Sequence, residues 1–299
     1  MQDKKIIDFI NKNINSLNNQ KVIVNGANSG IGFAISEIVL SKGASLVMGC
    51  RNIDKANSAK EVLLKKYPNA SIEILIYDQS SLESSRSFAK EIISKHSDFN
   101  SLVLNAGIFR PKKNKFTVNH FPLTSGTNYF GLLAILDELQ TYLDNVSSEK
   151  RIIIQGSLAV RLKKFKSLNK SLLNNKMNRF KQYCLSKNGC FNAFYYYYLN
   201  NHNPNVKYLY AEPGICASNI YRNYPSLFKK IANKALSIFC HSCLSGALSA
   251  SLLASNIHSN GDYLLPSGFL AIKGLPKEGK IKDKYINKNL VADSLTLIK

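Results

Sequence analysis

A tyrosine and a lysine four residues apart, Tyr183 and Lys187, carry side chains that could move a proton. On a helix, residues at this spacing lie on one face, so the two polar groups would be neighbours. A phenol has a pKa of about 10, and a nearby ammonium group stabilises the phenolate and lowers that pKa. Such a tyrosine could exchange a proton with a carbonyl or an alcohol. With 15 Tyr and 33 Lys in 299 residues, the spacing is also expected by chance, so the pair alone is not diagnostic.

A glycine-rich segment near the N-terminus could bind phosphate groups. It has the spacing G-x-x-x-G-x-G, follows an apolar run and opens a helical pattern. Glycine lets the backbone approach a pyrophosphate, and the free N–H groups of a helix's first turn face the anion. The context predicts a dinucleotide site, against the simpler interpretation of a turn without a ligand. The candidate binding residues are Gly26, Asn28, Ser29, Gly30, Ile31 and Gly32.

Short apolar runs alternate with helical patterns along the whole chain. Runs that are apolar on both faces and rich in Ile, Val and Leu are typical of strands buried in a parallel sheet. The alternation predicts a doubly wound α/β fold, with residues 21–299 as a single domain. The predicted strands are 21–25, 45–49, 72–77, 101–105, 151–155, 206–211 and 262–265, and the predicted helices are 31–42, 54–67, 82–95, 127–143, 183–199 and 243–257.

Residues 1–20 are predicted to form an N-terminal helical extension. Its apolar stripe would contain Ile6, Phe9, Ile10 and Ile14. We interpret the stripe as packing on the edge of the domain, with attachment to a membrane surface as the alternative. No apolar run reaches the roughly 18 residues that span a bilayer, and no secretory signal is visible, so we expect a soluble, cytoplasmic protein.

The formal net charge of +21 comes from 40 basic and 19 acidic residues, and 33 of the basic residues are Lys. A nucleic-acid reader would be expected to use more Arg, so we expect no nucleic acid as partner. The densest basic segment, residues 161–181, is either a solvated surface or a patch that attracts anions. Cys240 and Cys243 form a C-x-x-C pair, but no second pair has metal-binding spacing, so no metal site is predicted.

Further motifs occur in an order that resembles the short-chain dehydrogenase/reductase family. The glycine turn is similar to the family's T-G-x-x-x-G-x-G, with Asn25 in place of Thr. The family's second Ser of a Ser-Ser pair corresponds to Ser157, while its first is Gly156, and its Y-x-x-x-K corresponds to Tyr183 and Lys187. The remaining matches are Asn105-Ala106-Gly107, Asn128 in an N-h-x-G pattern, Pro213-Gly214, and Ser218 where the family usually has Thr.

The resemblance implies a three-layer Rossmann fold and hydride transfer between a nicotinamide and a carbonyl or alcohol. It implies that Ser157 binds the substrate oxygen, that Tyr183 exchanges the proton, and that Lys187 binds the nicotinamide ribose. By the same resemblance, Asn128 supports a water in a proton relay that reaches Lys187. Gly156 should be tolerated, because the first Ser of the pair is not the proton-transfer residue.

The end of the second predicted strand bears on the choice of cofactor. Enzymes that use NAD usually place an acid there for the ribose 2′-hydroxyl, whereas a nearby Arg accommodates a 2′-phosphate. This chain has Arg51 and Asn52 instead, so NADP(H) is predicted in preference to NAD(H). Asp78 resembles the family Asp that contacts adenine, or it could cap the following helix. The cofactor residues implied by the resemblance also include Asn105, Ala106, Gly107, Pro213, Gly214 and Ser218.

The long segment 158–182 and the ending 266–277 resemble the retinol-dehydrogenase-like or protochlorophyllide-reductase-like branch of the family. Residues 214–240 would be the substrate lid, whose apolar side chains form either an apolar pocket or the lid's own core. We expect a small, apolar carbonyl or alcohol substrate. The resemblance allows a homo-oligomer, although the insert could block one interface. A catalytically silent NADP(H)-binding sensor with the same fold is the alternative function.

Overall fold

The computed structural model describes residues 2–111, 115–165, 167–216 and 242–299. Over these residues, eight strands form one sheet in the order β3-β2-β1-β4-β5-β6-β7-β8. Neighbouring strands from β1 to β7 are parallel, and β8 is antiparallel to β7. The strands are β1 (Lys21–Asn25), β2 (Ser45–Cys50), β3 (Ile72–Ile76), β4 (Ser101–Leu104), β5 (Lys150–Gln155), β6 (Val206–Ala211), β7 (Tyr263–Pro266) and β8 (Pro276–Glu278). The predicted doubly wound α/β fold is confirmed, with an antiparallel edge strand that the sequence analysis missed.

Helices cover both faces of the sheet. They are α1 (Gln2–Asn13), α2 (Gly30–Ser41), α3 (Ile53–Lys66), α4 (Leu82–Lys95), α5 (Leu123–Ser125), α6 (Gly131–Asp144), α7 (Leu168–Ser171), α8 (Arg179–Leu199), α9 (Cys243–Ser255) and α10 (Leu290–Ile298). Ile152 and Ile154 of β5 enter the core under α4, α6 and α8, whereas Ile153 enters the core under α2 and α9. This burial on both faces produces the apolar runs in the sequence.

The strand order fixes where a ligand can bind. The chain runs outward from β1 to β3 on one side and from β4 to β7 on the other, so the direction of winding reverses between β1 and β4. In open α/β sheets, ligands bind in the crevice outside the carboxyl ends of the strands at such a reversal. The glycine-rich turn after β1 and the Asn105 turn after β4 therefore meet at one edge.

The N-terminal helix α1 packs on the core that also contains α2 and α9. Ile6, Ile10 and Ile14 are all buried there, and Phe9 is packed against the same cluster. Two hydrogen bonds between Asn256 and the main chain at Asn13 and Asn15 hold the end of the helix in place. The apolar stripe is thus used within the fold, while the domain boundary at residue 20 stays a prediction.

Two helices differ from their predicted bounds in ways that concern the site. The predicted helix 127–143 is a π-helical turn over Gly126–Phe130 followed by α6. Helix α8 begins at Arg179 rather than at Tyr183, because the Asn178 side chain accepts a hydrogen bond from the Phe180 N–H and caps the helix. Tyr183 therefore lies one turn inside a helix. In the described part of the chain, no helix is long and apolar enough to cross a membrane.

Candidate active site

A cavity of about 420 Å³ lies at the carboxyl ends of the parallel strands. It extends from the turn after β1 to the side chains of Tyr183 and Lys187 on α8. Most of the predicted site residues line this cavity, namely Gly26, Asn28, Ser29, Gly30, Ile31, Arg51, Asn52, Asp78, Asn105, Ala106, Gly107, Tyr183, Lys187 and Pro213. Gly32, Asn128, Ser157 and Gly214 are not among its lining residues. Ser218 and residues 217–240 of the predicted lid lie outside the described residues.

The glycines of the first turn are needed for different structural reasons. Gly26 and Gly30 have φ angles of 66° and 60°, in the left-handed region that glycine tolerates. Gly32 has an ordinary backbone, but a Cβ placed on it would lie 2.2 Å from the Gly26 carbonyl oxygen. The absence of a side chain at Gly32 thus allows helix α2 to pack closely against the turn. The first turn of α2 leaves its N–H groups facing the cavity end at Ser29, where an anion is favoured.

Asn25 replaces the family's Thr and holds the two central turns together. Its Oδ1 accepts hydrogen bonds from the N–H groups of Asn105 at 2.5 Å and Ala106 at 2.6 Å. Asn105 returns a bond from Nδ2 to the Asn25 carbonyl oxygen at 3.0 Å. The residue is fully buried, so each of these groups depends on its partner. The departure from the family pattern therefore preserves the connection between β1 and β4.

Gln79, which the sequence analysis missed, extends this network. Its Oε1 accepts from Asn25 Nδ2 at 3.0 Å and from the Tyr77 hydroxyl at 2.9 Å. Its Nε2 donates to the carbonyl oxygens of Thr127 at 2.7 Å and Ala106 at 3.2 Å. One buried amide thus joins the ends of β1, β3 and β4 to the π-helical turn. A polar residue three positions after the end of β3 was the available signal, but its partners come from distant parts of the chain.

Tyr183 lines the inner end of the cavity and contacts Ser157, which is not itself a lining residue. The Tyr183 hydroxyl donates to Ser157 Oγ over 3.4 Å. Ser157 Oγ also accepts from the Ala159 N–H, since Ser157 caps the helical turn Leu158–Arg161 that follows β5. Lys187 is buried, and its Nζ donates to the Gln155 carbonyl oxygen at 3.0 Å. Three of the four predicted catalytic side chains, Ser157, Tyr183 and Lys187, are therefore positioned by the end of β5 and by α8.

The protonation of Tyr183 differs from the sequence-based expectation. Burial raises the pKa of the Tyr183 phenol to about 12, and the hydrogen bond with Ser157 acts in the opposite direction. The expectation of a lowered pKa is wrong for the protein alone, because burial is the largest influence on the Tyr183 phenol. Tyr183 is a neutral phenol at pH 7 and can act as a proton donor.

Both the oxygen and the nitrogen of the Asn128 side-chain amide form hydrogen bonds with the protein. Its Oδ1 accepts from the Ile108 N–H at 2.7 Å, and its Nδ2 donates to the Ile108 carbonyl and to Ser186 Oγ, both at 3.0 Å. It lies in the π-helical turn, a feature that often occurs at functional sites. In this position its side chain fixes the segment after β4 against α8. Its part in a proton relay to Lys187 stays a prediction.

A close contact explains why residue 156 is Gly where the family has Ser. A Cβ on this residue would lie 2.1 Å from Cζ of Tyr210 and 2.2 Å from its hydroxyl oxygen. Tyr210 is fully buried on β6, directly beside Ile154 of β5 in the sheet register. The tyrosine ring thus fills the space that a side chain on residue 156 would need. Sequence alone could not pair the two residues, which are distant in the chain.

Arg51 and Asp78 face each other across the outer end of the cavity. Their charged groups are 4.0 Å apart, and the Arg51 side chain is 64% exposed, so this pair is loose. Lys55, which the sequence analysis did not single out, lines the same end and is exposed. Asn52 lines the cavity and also caps α3 by accepting from the Lys55 N–H. The suggestion that Asp78 caps the next helix is wrong, because Ser81 caps α4.

Apolar and aromatic groups surround the inner end beside Tyr183. The ring of Phe109 stands edge-on to the Tyr183 ring with centroids 4.7 Å apart, and Phe180 contacts Phe109 in the same manner at 6.3 Å. Ile108, Pro111 and Leu123 complete this wall. The arrangement favours an apolar group next to the Tyr183 hydroxyl.

Comparison with known proteins agrees with these observations. Residues 20–167 match the family model described as short chain dehydrogenase. Human retinol dehydrogenase 14 is 28% identical over 262 residues, which are 82% of this chain and 76% of that protein. Protochlorophyllide reductase of Chlamydomonas reinhardtii is 35% identical over 144 residues, which are 46% of this chain and 36% of that protein. The chain thus spans about a third of the second relative.

The fold is shared with solved structures of low sequence identity. An NADPH-bound short-chain oxidoreductase from Pseudomonas aeruginosa PAO1 superimposes with a TM-score of 0.62 at 17% identity. The match covers 83% of this chain and 95% of that one. At this identity the likeness concerns the architecture.

Proposed function

This chain belongs to the short-chain dehydrogenase/reductase family of oxidoreductases, and we propose that it uses NADP(H) to reduce an apolar carbonyl compound. The observation that carries the proposal is the contact between Tyr183 and Ser157 at one end of a cavity whose other end is the glycine-rich turn. Both the proton donor and the phosphate-binding backbone open onto the same space.

The cavity has features that fit a dinucleotide. The turn at Gly26 and Gly30 brings the main chain to the cavity, where the N–H groups of the first turn of α2 would bind a phosphate, and Gly32 lets the helix approach the turn. Gln155 at the inner wall has a buried side-chain amide without a hydrogen-bond partner among the described residues. Such an amide is stabilised when a polar ligand group pairs with it. These residues, with Lys187, would hold the cofactor.

The preference for NADP(H) rests on the cations at the outer end. Arg51 is mostly exposed and only loosely paired, and Lys55 lies beside it, so both can turn toward a 2′-phosphate. Asp78 is held by the N–H and hydroxyl of Ser80, which keeps its carboxylate near Arg51. No acidic residue precedes Asp54 after β2, so the acid that usually binds a free 2′-hydroxyl is missing from that position.

In the proposed reaction, a nicotinamide held beside Tyr183 and Lys187 would supply the hydride that the carbonyl carbon needs. Ser157 donates a hydrogen bond to the carbonyl oxygen and holds it near Tyr183. The Tyr183 hydroxyl transfers its proton to that oxygen, which yields the alcohol. The raised pKa of Tyr183 keeps the proton available at pH 7. Phe109, which lines the cavity beside Tyr183 and is backed by Phe180, would exclude water and contact the apolar part of the substrate.

A fluorescence titration of the purified protein with NADPH and NADH tests the cofactor assignment. We expect tighter binding of NADPH, and we expect Arg51→Ala to weaken NADPH binding at least about tenfold with little effect on NADH, since charge-assisted hydrogen bonds contribute about 1.5–3 kcal/mol. Equal affinities for the two nucleotides in wild type would contradict the NADP(H) preference.

Reduction of apolar aldehydes, ketones and quinones tests the activity. Tyr183→Phe should bind NADPH as wild type does but lose about 10²–10⁴-fold in kcat, because the proton donor is gone. Tyr142→Phe, which removes a surface hydroxyl bonded to the Ser97 carbonyl, is the matched control and should keep wild-type activity. NADPH binding without turnover of any carbonyl would instead support a silent sensor.

A further inference from the structure

A buried carboxylate next to the site has no part in the proton transfer described above. Glu212 is 2% exposed and directly precedes Pro213, which lines the cavity. Arg161 Nη2 donates to one oxygen of Glu212 at 2.6 Å, and the Tyr263 hydroxyl donates to the other. Arg161 Nη2 also lies 2.9 Å from the Tyr263 hydroxyl oxygen. We call these three residues the Arg161–Glu212–Tyr263 triad.

The triad joins the ends of three neighbouring strands. Arg161 ends the helical turn that begins at Ser157 after β5, Glu212 follows β6, and Tyr263 begins β7. The ion pair therefore connects the segment that carries Ser157 to the segment that carries Pro213. Burying a carboxylate is costly, and a buried pair is weak evidence for a gain in stability alone. A positioning function explains why a charged group occupies this place.

Aromatic packing makes the connection rigid. Tyr210 of β6 contacts the Tyr263 ring with centroids 5.2 Å apart, and Phe191 of α8 contacts Tyr210 at the same distance. Tyr210 also fills the space beside Gly156, the residue before Ser157. A shift of the triad would therefore be transmitted to the Ser157 main chain.

We infer that the Arg161–Glu212–Tyr263 triad is a positioning device that fixes Ser157 relative to the cavity-lining segment at Pro213. Arg161 acts through Ser157 and Pro213, so it is a positioning residue and not a catalytic one. The inference rests on the proposed function, because it concerns the alignment of that same site.

The groups around Glu212 predict how the positioning effect of the triad depends on pH. Among the described residues, Arg161 acts on Glu212 through its charge and Tyr263 through a hydrogen bond, while the Glu212 charge acts on Tyr210 and Tyr263. Burial raises the pKa of Glu212, and Arg161 is the main influence that opposes it. Without Arg161 the carboxyl would hold a proton at low pH and stay bonded to Tyr263. As the pH rises, the carboxyl would ionise without a counter-ion. The alignment of Ser157 with the segment at Pro213 would therefore be lost at high pH.

The test compares Arg161→Met with Arg86→Met. Arg86 bonds Asp137 at 3.0 Å and Glu138 at 3.2 Å between α4 and α6, and its side chain is 24% exposed against 29% for Arg161. It is thus a matched ion-pair control outside the site. Each variant is measured for NADPH affinity by fluorescence, for unfolding temperature, and for kcat and KM of carbonyl reduction from about pH 6 to 9.

We expect Arg161→Met to lower kcat by about 100-fold, as a small displacement near the chemistry can. The loss should grow as pH rises, and Arg161→Lys should restore part of kcat. Arg86→Met should lower the unfolding temperature while keeping wild-type kcat and pH profile. If Arg161→Met does not fold, Tyr263→Phe replaces it and should give a smaller loss of kcat that does not grow as pH rises, because Arg161 still pairs with Glu212.

Three results would overturn the inference or its premise. A folded Arg161→Met protein with wild-type kcat and pH profile would show that the triad positions nothing. An equal loss of kcat in Arg86→Met would show a general effect of stability. Wild-type protein that neither binds NADPH nor reduces carbonyls would refute the proposed function, and the triad's role in it would fall as well.

Discussion

The hydroxyl group of Tyr183 decides how the two reaction directions depend on pH. Because burial raises its pKa to about 12, the phenol stays protonated at neutral pH. Carbonyl reduction needs the phenol, so its rate should stay constant from about pH 6 to 9, whereas alcohol oxidation needs the phenolate and should accelerate as pH rises. Initial rates in both directions across this range check the expectation. An oxidation rate that is already constant at pH 7 would contradict a raised pKa.

Asn25 should contribute to stability through the N–H groups that it satisfies. Asn25→Ala removes a buried hydrogen-bonding partner from three groups. These are the main-chain N–H groups of Asn105 and Ala106 and the side-chain oxygen Oε1 of Gln79. Each unsatisfied group costs about 1–3 kcal/mol, so the free energy of unfolding should fall by roughly 3 kcal/mol in urea titrations. Asn119→Ala, which removes an exposed side chain bonded to the Leu82 N–H, is the control and should cost less. Equal losses would contradict a special role for Asn25.

At the scale of elements, the parallel strands were predictable and the irregular segments were not. Strands β1 and β6 match their predicted bounds, because burial on both faces leaves an apolar run in the sequence. The π-helical turn at Gly126–Phe130 looks like ordinary helix in the sequence, since it depends on how Asn128 is held by Ile108 and Ser186. The short strand β8 has a Pro and two charged residues, which conceal its pairing with β7.

The same distinction applies to the site. The glycine turn, Ser157, Tyr183 and Lys187 were named from local motifs, because each motif lies at the end of a strand or on a helix. Gln79 and the triad could not be named, since their partners lie on elements that only the sheet order brings together. Motif-based prediction finds the groups that face a ligand more readily than the groups that support them.

The packing of β5 against β6 predicts a coupling between Gly156 and Tyr210. Gly156→Ser should lower the free energy of unfolding by about 2–3 kcal/mol, because the new Cβ collides with the Tyr210 ring. Tyr210→Ala should cost about 3–5 kcal/mol by leaving a cavity. In the double variant the serine occupies part of that cavity, so the combined cost should be smaller than the sum of the two. Urea unfolding of the four proteins measures the difference, and simple additivity would refute the proposed contact.

At the scale of the whole molecule, the excess of positive charge affects stability. The chain has 40 basic and 19 acidic residues, so one-to-one pairing would leave at least 21 bases without an acid. Several ion pairs of the described residues, such as Lys66–Glu37 and Lys95–Glu91, are on the surface, where each contributes about 0–1 kcal/mol. Repulsion among the remaining charges destabilises the compact state and is screened by salt. Composition fixes the net charge, whereas only the fold shows that Arg51 and Lys55 lie at the cavity.

We therefore expect the unfolding temperature to rise when NaCl is increased from about 0.02 to 0.2 M, because the screening length falls within this range. Lys163→Glu together with Lys164→Glu, two exposed positions in the basic segment 161–181, should raise the unfolding temperature at low salt and reduce its dependence on NaCl. Exchange of the same lysines for arginine keeps the charge and is the control, which should retain the wild-type salt dependence. Calorimetry at both salt concentrations measures the effect. A lower unfolding temperature in 0.2 M NaCl, or an equal salt dependence in all three proteins, would show that attractive ion pairs outweigh the repulsion of the net charge of +21.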